Sequence, residues 1–171
     1  MLCFTLATPY GVFTVAMNDQ QSIVASGFVD EETMTAYLSR RYPSTPVEIA
    51  SEHTYLRQLK NYFNGELNAL KDIPVAPTGT PFQLQVWEEM RRIPTGHVAT
   101  YAEIAKQINR PNAVRAVGSS CARNPIVLFT PCHRVVQSNG YVGEYLYGIA
   151  RKTQLLRHEG CILTNRNFVV Q

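Results

Sequence analysis

The chain has 171 residues, enough for one domain or two small ones, and a hydrophobic content of 45% supports packed cores. A formal net charge of +3 permits nucleic-acid binding but does not by itself indicate it. Most of the 16 lysines and arginines lie in the second half of the chain. On charge alone, a DNA-binding face and ordinary solvated helix surfaces explain this asymmetry equally well.

The first part of the chain predicts an antiparallel sheet with helices. Three β-rich runs separated by turn residues predict a meander, at residues 2–8, 11–17 and 22–28. Helical spacing follows at 31–41 and 51–64, where Gly65 ends the second helix. The proline- and glycine-rich segment 72–80 predicts a connector between a domain of residues 1–71 and one of residues 81–171.

The pattern after the connector is mainly helical. An apolar face marks residues 82–92, and Thr100 with Glu103 forms a capping box that begins a helix ending at about residue 108. A turn and a second helix, from 113 to about 123 with Val114, Val117 and Cys121 inward, complete a helix-turn-helix. The second helix of such a pair enters a DNA groove, although helix pairs also serve in packing. A last helix covers 149–159.

The four cysteines, Cys3, Cys121, Cys132 and Cys161, have none of the spacings that metal ligands use. We therefore expect no metal site and no cofactor. The N-terminus lacks the basic segment of a signal peptide, and no apolar run approaches membrane length. Unpaired cysteines fit a reducing compartment, so we expect a cytoplasmic protein, or a nuclear one if the source is eukaryotic, that has no membrane partner.

The segment 131–135, Pro-Cys-His-Arg-Val, sets a thiol beside an imidazole. A thiolate is the reactive form of cysteine, so a base that removes the proton is what a nucleophilic cysteine needs. Adjacent side chains point to different sides of the backbone, however. Without further context, such a pair is more often a half-buried cysteine beside a surface histidine than a catalytic pair.

Four motifs together carry a resemblance to a known family. They are Asn-Ala-Val-Arg-Ala-Val-Gly at 112–118, Asn-Pro at 124–125, Pro-Cys-His-Arg-Val at 131–135 and Leu-Leu-Arg-His-Glu-Gly at 155–160. The chain resembles the 6-O-alkylguanine–DNA alkyltransferase family closely over residues 82–163 and in layout before them. The resemblance implies an α+β fold of two domains: an N-terminal ribonuclease H-like sheet with helices, and a mainly helical, winged-helix-like C-terminal domain.

The resemblance also implies a reaction that the residues can support. An alkyl group on the 6-oxygen of guanine, or on the 4-oxygen of thymine, would be attacked in line by Cys132. His133 would take the thiol proton through a water, and Glu159 would orient the imidazole. An acid is disfavoured near a helix C-terminus, which favours a buried partner for Glu159. The thioether product is not hydrolysed by water, so each molecule would act once.

By the same resemblance, double-stranded DNA carrying alkylated bases is the partner. The target oxygen is inaccessible in a stacked duplex, so the nucleotide must be flipped out. Arg115 would fill the vacated stack from the minor groove, and Tyr101 would push on the phosphate and donate a proton to the leaving guanine. Small residues would allow close approach of the backbone at Ala113 and Gly118. Phosphate contacts are expected from Ala102, Arg110 and Ser138.

Other positions match the substrate pocket of the family. Asn124 would brace the active-site loop, and the carbonyls of Cys132 and Val135 would accept hydrogen bonds from the guanine amine. Beside Tyr145, Leu146 and Tyr147 stand where many members have small residues, and a serine of some members is missing. This bulk predicts poor reaction with benzylguanine. Zinc ligands of some members have no match beyond Cys3.

Three alternatives remain open on the sequence. A non-enzymatic alkyl-lesion-binding protein would lack the nucleophile, whereas Cys132 is present. A helix-turn-helix transcription regulator would not need Glu159 or the Tyr145 loop. A cysteine hydrolase of acyl substrates would turn over repeatedly without DNA. We expect a monomer, and cooperative binding along DNA is left open.

Overall fold

The computed structural model describes residues 1–169, which form two compact units. The first unit combines Met1–Thr78 with Pro125–Phe129, and the second contains Gly79–Asn124 and the chain from Thr130 onward. Among the described residues, no helix is both long enough and apolar enough to cross a bilayer.

The segment 125–129 departs from the boundaries drawn on the sequence, which assigned it to the C-terminal domain. Its backbone is bonded into the first unit through Ser26. The Ser26 amide donates to Pro125 O at 2.8 Å, the Val127 amide donates to Ser26 O at 3.3 Å, and the Ser26 hydroxyl donates to Val127 O at 2.8 Å. The sequence alone assigns this segment to the helical region around it, because Ser26, to which Val127 bonds, lies 101 residues away.

The first unit is built on a four-stranded sheet of order β3-β2-β1-β4. The predicted antiparallel meander is confirmed by its first three strands, β1 Leu2–Thr8, β2 Gly11–Met17 and β3 Ile23–Gly27. The fourth strand, β4 Glu48–Ile49, pairs in parallel with β1 and makes the sheet mixed. A strand of two residues is too short to show alternation, so it was not predicted from the sequence.

Two helices accompany this sheet, α1 Glu31–Arg41 and α2 Thr54–Phe63. Asp30 caps α1 by accepting from the Thr33 amide, and Met34 and Leu38 of α1 belong to the apolar cluster that contains Cys3 and Ala16. Cys3 is therefore a core residue, with its pKa raised to about 11 by burial and by the nearby Glu31 charge.

The second unit is mainly helical. Its α-helices are α3 Pro81–Arg92, α4 Tyr101–Gln107, α5 Val114–Ala122 and α6 Ile149–His158. The Thr100–Glu103 capping box is present in both directions, with the Thr100 amide 2.6 Å from the Glu103 carboxylate and the Glu103 amide 3.1 Å from the Thr100 hydroxyl. A short parallel pair joins β5 Ala99–Thr100 to β6 Val135–Val136.

The core of this unit places the helix-turn-helix beside the cysteine motif. Helices α3, α4 and α5 surround a cluster that includes Val86, Met90, Ile104 and Val117, and Cys132 belongs to the same cluster. Burying a side chain of this size contributes roughly 1.5–3 kcal/mol. The prediction that Val114 faces inward is wrong: it begins α5 on the outer side and is 37% exposed.

Candidate active site

Cys132 opens a 3₁₀ turn, Cys132–Arg134, which follows Pro131. The thiol-bearing residue is only 7% exposed. Burial raises the pKa of the Cys132 thiol, and a hydrogen bond from Asn124 and the positive charge of Lys152 oppose this increase. These two interactions therefore make the Cys132 thiolate easier to form than it would be with burial alone.

Asn124 braces the turn from behind. Its Nδ2 donates to Thr130 O at 2.7 Å, and the same carbonyl accepts from the Cys132 amide at 2.9 Å. Asn124 is 4% exposed, so the bond is shielded from competing water. This arrangement holds the backbone on the N-terminal side of Cys132 and supports the bracing role expected for Asn124.

His133 and Glu159 form a buried pair. His133 Nε2 lies 2.9 Å from Glu159 Oε1, and both side chains are fully buried. Glu159 caps the C-terminus of α6, where a carboxylate is unfavourable. Burial works to raise its pKa, but His133 and Arg134 together hold the pKa of Glu159 well below its usual range, so the group is a carboxylate. The other imidazole nitrogen, Nδ1, has no hydrogen-bond partner among the described residues.

Two charged residues of this site were missed by sequence reasoning. Arg134 bonds to Glu159 through two of its nitrogens, Nε to Oε2 at 2.8 Å and Nη2 to Oε1 at 2.9 Å. A bidentate guanidinium–carboxylate pair is among the stronger polar contacts in proteins. The available signal was the adjacency of Arg134 to the Cys-His pair, but nothing in the sequence shows that its side chain is buried.

Lys152 is the second missed residue. It is 1% exposed, and its Nζ donates to Val135 O at 2.6 Å and to Glu144 O at 3.4 Å. Burial lowers its pKa to about 8, although the nearby thiols of Cys132 and Cys121 work in the opposite direction. Its position three and four residues before Leu155 and Leu156, on the buried face of α6, was the signal that could have identified it.

Tyr101 connects the helix-turn-helix to the cysteine. It begins α4 and packs against the cluster that contains Cys132. A Cβ added to Gly118 of α5 would lie 3.9 Å from the Tyr101 ring, and one added to Gly143 would lie 3.7 Å from the Tyr101 hydroxyl. Burial, chiefly, raises the pKa of Tyr101 to about 12, so its hydroxyl keeps a proton that it can donate.

The remaining expected DNA contacts lie on the surface of the second unit. Arg110, Arg115 and Ser138 are exposed, whereas Ala102 and Ala113 are half-buried near the beginnings of α4 and α5. Arg115 occupies the first turn of α5. The two arginines are therefore free of the core and accessible to a phosphate backbone.

The loop 142–148 borders the site through aromatic residues. Tyr145 packs against the cluster containing Cys132, and the Tyr147 ring meets the Tyr145 ring edge to face at 5.8 Å. Leu146 is 61% exposed, so most of its side chain lies in solvent. Any bulk that this loop adds above the site therefore comes mainly from the two tyrosines. In residues 1–169, no group of three or more histidines, cysteines and acids is arranged to hold a metal ion.

Comparison with known families matches both parts of the chain. Residues 81–161 match the model of the 6-O-methylguanine DNA methyltransferase DNA-binding domain. Residues 1–77 match the ribonuclease-like domain of the same enzyme class.

Individual relatives agree with these matches. A methylated-DNA–protein-cysteine methyltransferase of Shigella flexneri is 39% identical over 162 residues, covering 92% of this chain and 95% of that protein. One of Salmonella typhimurium is 38% identical over the same shares. Among solved structures, that of Mycobacterium tuberculosis OGT in complex with DNA aligns with a TM-score of 0.78 at 32% identity, covering 93% of this chain and 92% of that one.

Proposed function

This chain belongs to the 6-O-methylguanine DNA methyltransferase family, and from that premise we propose that it repairs alkylated DNA by direct reversal. It moves a methyl or other alkyl group from the 6-oxygen of guanine, or the 4-oxygen of thymine, to Cys132. The observation that carries this proposal is the buried series of Cys132, His133 and Glu159, next to a helix-turn-helix in the same unit.

The reaction is a displacement at carbon. The Cys132 sulfur forms a bond to the alkyl carbon while the bond from that carbon to the guanine oxygen breaks, and guanine leaves as an anion. The thiol proton passes through a water to the free Nδ1 of His133, and the Tyr101 hydroxyl donates a proton to the departing base. The product is a thioether without a hydrolysable bond. The protein therefore reacts once and is consumed.

Access to the base requires extrusion of the nucleotide from the duplex. Helix α5 presents exposed Arg115 at its beginning, where the side chain can occupy the gap left by the flipped base. Arg110 and Ser138, both exposed, contact phosphates together with the beginning of α4 at Ala102. Ala113 caps the N-terminus of α5, and Gly118 lies within the helix. Both are half-buried and add little bulk to this surface. The partner is double-stranded DNA carrying alkylated bases.

The pocket for the flipped base is lined by backbone carbonyls and by tyrosines. The Cys132 and Val135 carbonyls accept from the guanine amine, and Val135 O uses one of its two lone pairs for Lys152. Tyr145 and Tyr147 cover the alkyl group. We place the protein in the cytoplasm, or in the nucleus of a eukaryotic source, because its four free cysteines suit a reducing compartment.

Intact mass after mixing with a methylated duplex tests the proposal. We expect a single addition in which a methyl group replaces a hydrogen, located on Cys132 by peptide mapping, and none in Cys132→Ser. Tight binding without added mass would favour an alkyl-lesion-binding protein. Equal affinity for alkylated and unmodified DNA would favour a transcription regulator. Repeated turnover of an acyl substrate without DNA would favour a hydrolase.

A further inference from the structure

The Arg134 side chain joins three segments of the second unit around the His133–Glu159 pair. Besides its two bonds to Glu159, its Nη1 donates to Ile93 O at 2.7 Å and its Nη2 donates to Thr95 Oγ1 at 3.2 Å. Arg134 is only 8% exposed. Its guanidinium is therefore anchored at the end of α3, at the following turn and at the end of α6, and the reaction described above does not use it.

We propose that Arg134 is a positioning residue, which keeps Glu159 ionised and determines which nitrogen of His133 is free to accept the thiol proton. This inference rests on the proposed function, because it assigns Arg134 a role in the same reaction. Arg134 does not touch the substrate: it acts through Glu159 on His133.

The hydrogen bonds of Glu159 fix the tautomer of His133. Oε1 accepts from Arg134 Nη2 and faces His133 Nε2, while Oε2 accepts from Arg134 Nε. An ionised carboxylate has no proton to give, so the hydrogen of this contact lies on Nε2. In a neutral imidazole, the other nitrogen is then an acceptor. Nδ1 is that nitrogen, and it is buried without a partner among the described residues.

Arg134 also compensates the charge of the Glu159 carboxylate. A guanidinium remains charged over the working pH range and balances the Glu159 carboxylate. If Arg134 is replaced by an uncharged residue, the buried carboxylate loses this cationic partner, which is costly. The cluster then gains by taking a proton on His133, and a protonated ring cannot serve as the base.

The titratable side chains around the cluster include Cys132, Cys161, Cys121 and Lys152. Burial raises the pKa of all three thiols, so they are neutral near pH 7. Lys152 donates to the carbonyls of Val135 and Glu144. Arg134 supplies Glu159 with a side-chain cation of fixed charge, whereas the charge of His133 depends on its protonation.

The test is the pH profile of Cys132 alkylation by a methylated duplex, measured from about pH 6 to about pH 10 in Arg134→Met, Arg134→Lys and the full-length wild type. In Arg134→Met we expect a loss of about 10- to 100-fold at pH 7, with recovery at higher pH, so that the half-maximal rate moves to higher pH. Arg134→Lys keeps the positive charge but cannot form the bidentate contact with Glu159. The pH of its half-maximal rate should therefore stay near that of the wild type, while its maximal rate falls.

The matched control is Arg92→Met, which removes a surface arginine paired with Glu88 and Glu89. Its rate and profile should equal those of the wild type. A purely structural role for Arg134 predicts a loss that is uniform over pH, or an equal displacement of the profile in Arg134→Met and Arg134→Lys. Either result overturns the proposal.

A second measurement covers the case in which Arg134→Met does not fold. Nitrogen-15 NMR of the wild-type histidines at pH 7 should find His133 neutral, with its hydrogen on Nε2. A hydrogen on Nδ1, or a fully protonated ring, overturns the proposal. If wild-type Cys132 gains no alkyl group at any pH, the proposed function has failed instead, and the NMR result still tests the tautomer of His133 that the role of Arg134 requires.

Discussion

The Nζ of Lys152 lies 2.6 Å from the carbonyl oxygen of Val135, and this contact ties the buried face of α6 to the strand that follows the cysteine turn. Lys152 is fully enclosed, so the structure holds an ammonium group close to the nucleophile at a cost in desolvation. That cost and its electrostatic effect on Cys132 can be separated by mutation.

Lys152→Met should slow alkyl transfer while relieving a penalty on folding. Burial lowers the pKa of Lys152 from 10.5 to about 8, which corresponds to a cost on the order of 3 kcal/mol. Loss of the bond to Val135 O offsets part of the gain. We expect the free energy of unfolding at pH 7 to rise by about 1 kcal/mol, and the transfer rate to fall about 10-fold because the thiolate loses a favourable charge.

The pH dependence of the difference in unfolding free energy between Lys152→Met and the wild type provides the check. The folded-state pKa lies below the unfolded one, so the penalty is fully present below about pH 8 and disappears as the pH rises toward 10.5. The stability advantage of Lys152→Met over the wild type should therefore shrink over that interval in denaturant titrations and then reverse, because only the lost bond to Val135 O remains. A difference that is constant with pH would show that folding does not lower the pKa of Lys152.

Asn124→Ala should destabilise the second unit and slow the reaction. The change removes a 2.7 Å bond to Thr130 O, a carbonyl that also accepts from the Cys132 amide. We expect a loss of about 1–3 kcal/mol in the free energy of unfolding, measured in urea, because a buried carbonyl loses one of its two donors and a buried side chain is truncated. The hydrogen bond of Asn124 also lowers the pKa of Cys132. The rate of the variant should therefore recover partly at alkaline pH, whereas a purely mechanical brace predicts no recovery.

Arg115→Ala should impair repair of duplex DNA far more than reaction with the free alkylated base. Losing a side chain that fills the vacated stack costs a few kcal/mol on a duplex, and the free base needs no flipping. Arg57→Ala is the matched control, since it removes an exposed arginine of α2 in the first unit. Single-turnover rates on both substrates decide the matter. Equal losses on both would mean that Arg115 supports the fold instead.

Tyr147→Gly should increase the reactivity toward benzylguanine while leaving methylguanine nearly unchanged. Tyr147 packs edge to face on Tyr145, which itself contacts the cluster around Cys132, so removing the ring opens space at the site. Leu146→Gly should have a smaller effect because Leu146 is 61% exposed. The measurement is the rate of Cys132 modification by each free base. Fast benzylation of the wild type would show that the tyrosines do not restrict the pocket, or that they stack on the benzyl ring.

Local patterns determined much of this protein from its sequence. The meander of β1 to β3, the bounds of α1 and the capping box between Thr100 and Glu103 depend on neighbours within a few residues, and each is found as predicted. The family could be identified for the same reason, because its motifs are short and contiguous. The His133–Glu159 contact followed from the family, since 26 residues separate the two side chains and no periodicity links them.

Only the tertiary structure decided which charged side chains are buried and what they bond. Arginine and lysine usually lie at the surface, and the burial of Arg134 and Lys152 depends on acceptors supplied by Glu159, Ile93 and Val135 from other elements. Long polar side chains leave water only where such partners already converge. The membership of segment 125–129 in the first unit has the same cause, because its hydrogen bonds go to Ser26. Sequence specifies propensity and pattern over short distances, whereas these contacts exist only after distant segments have packed.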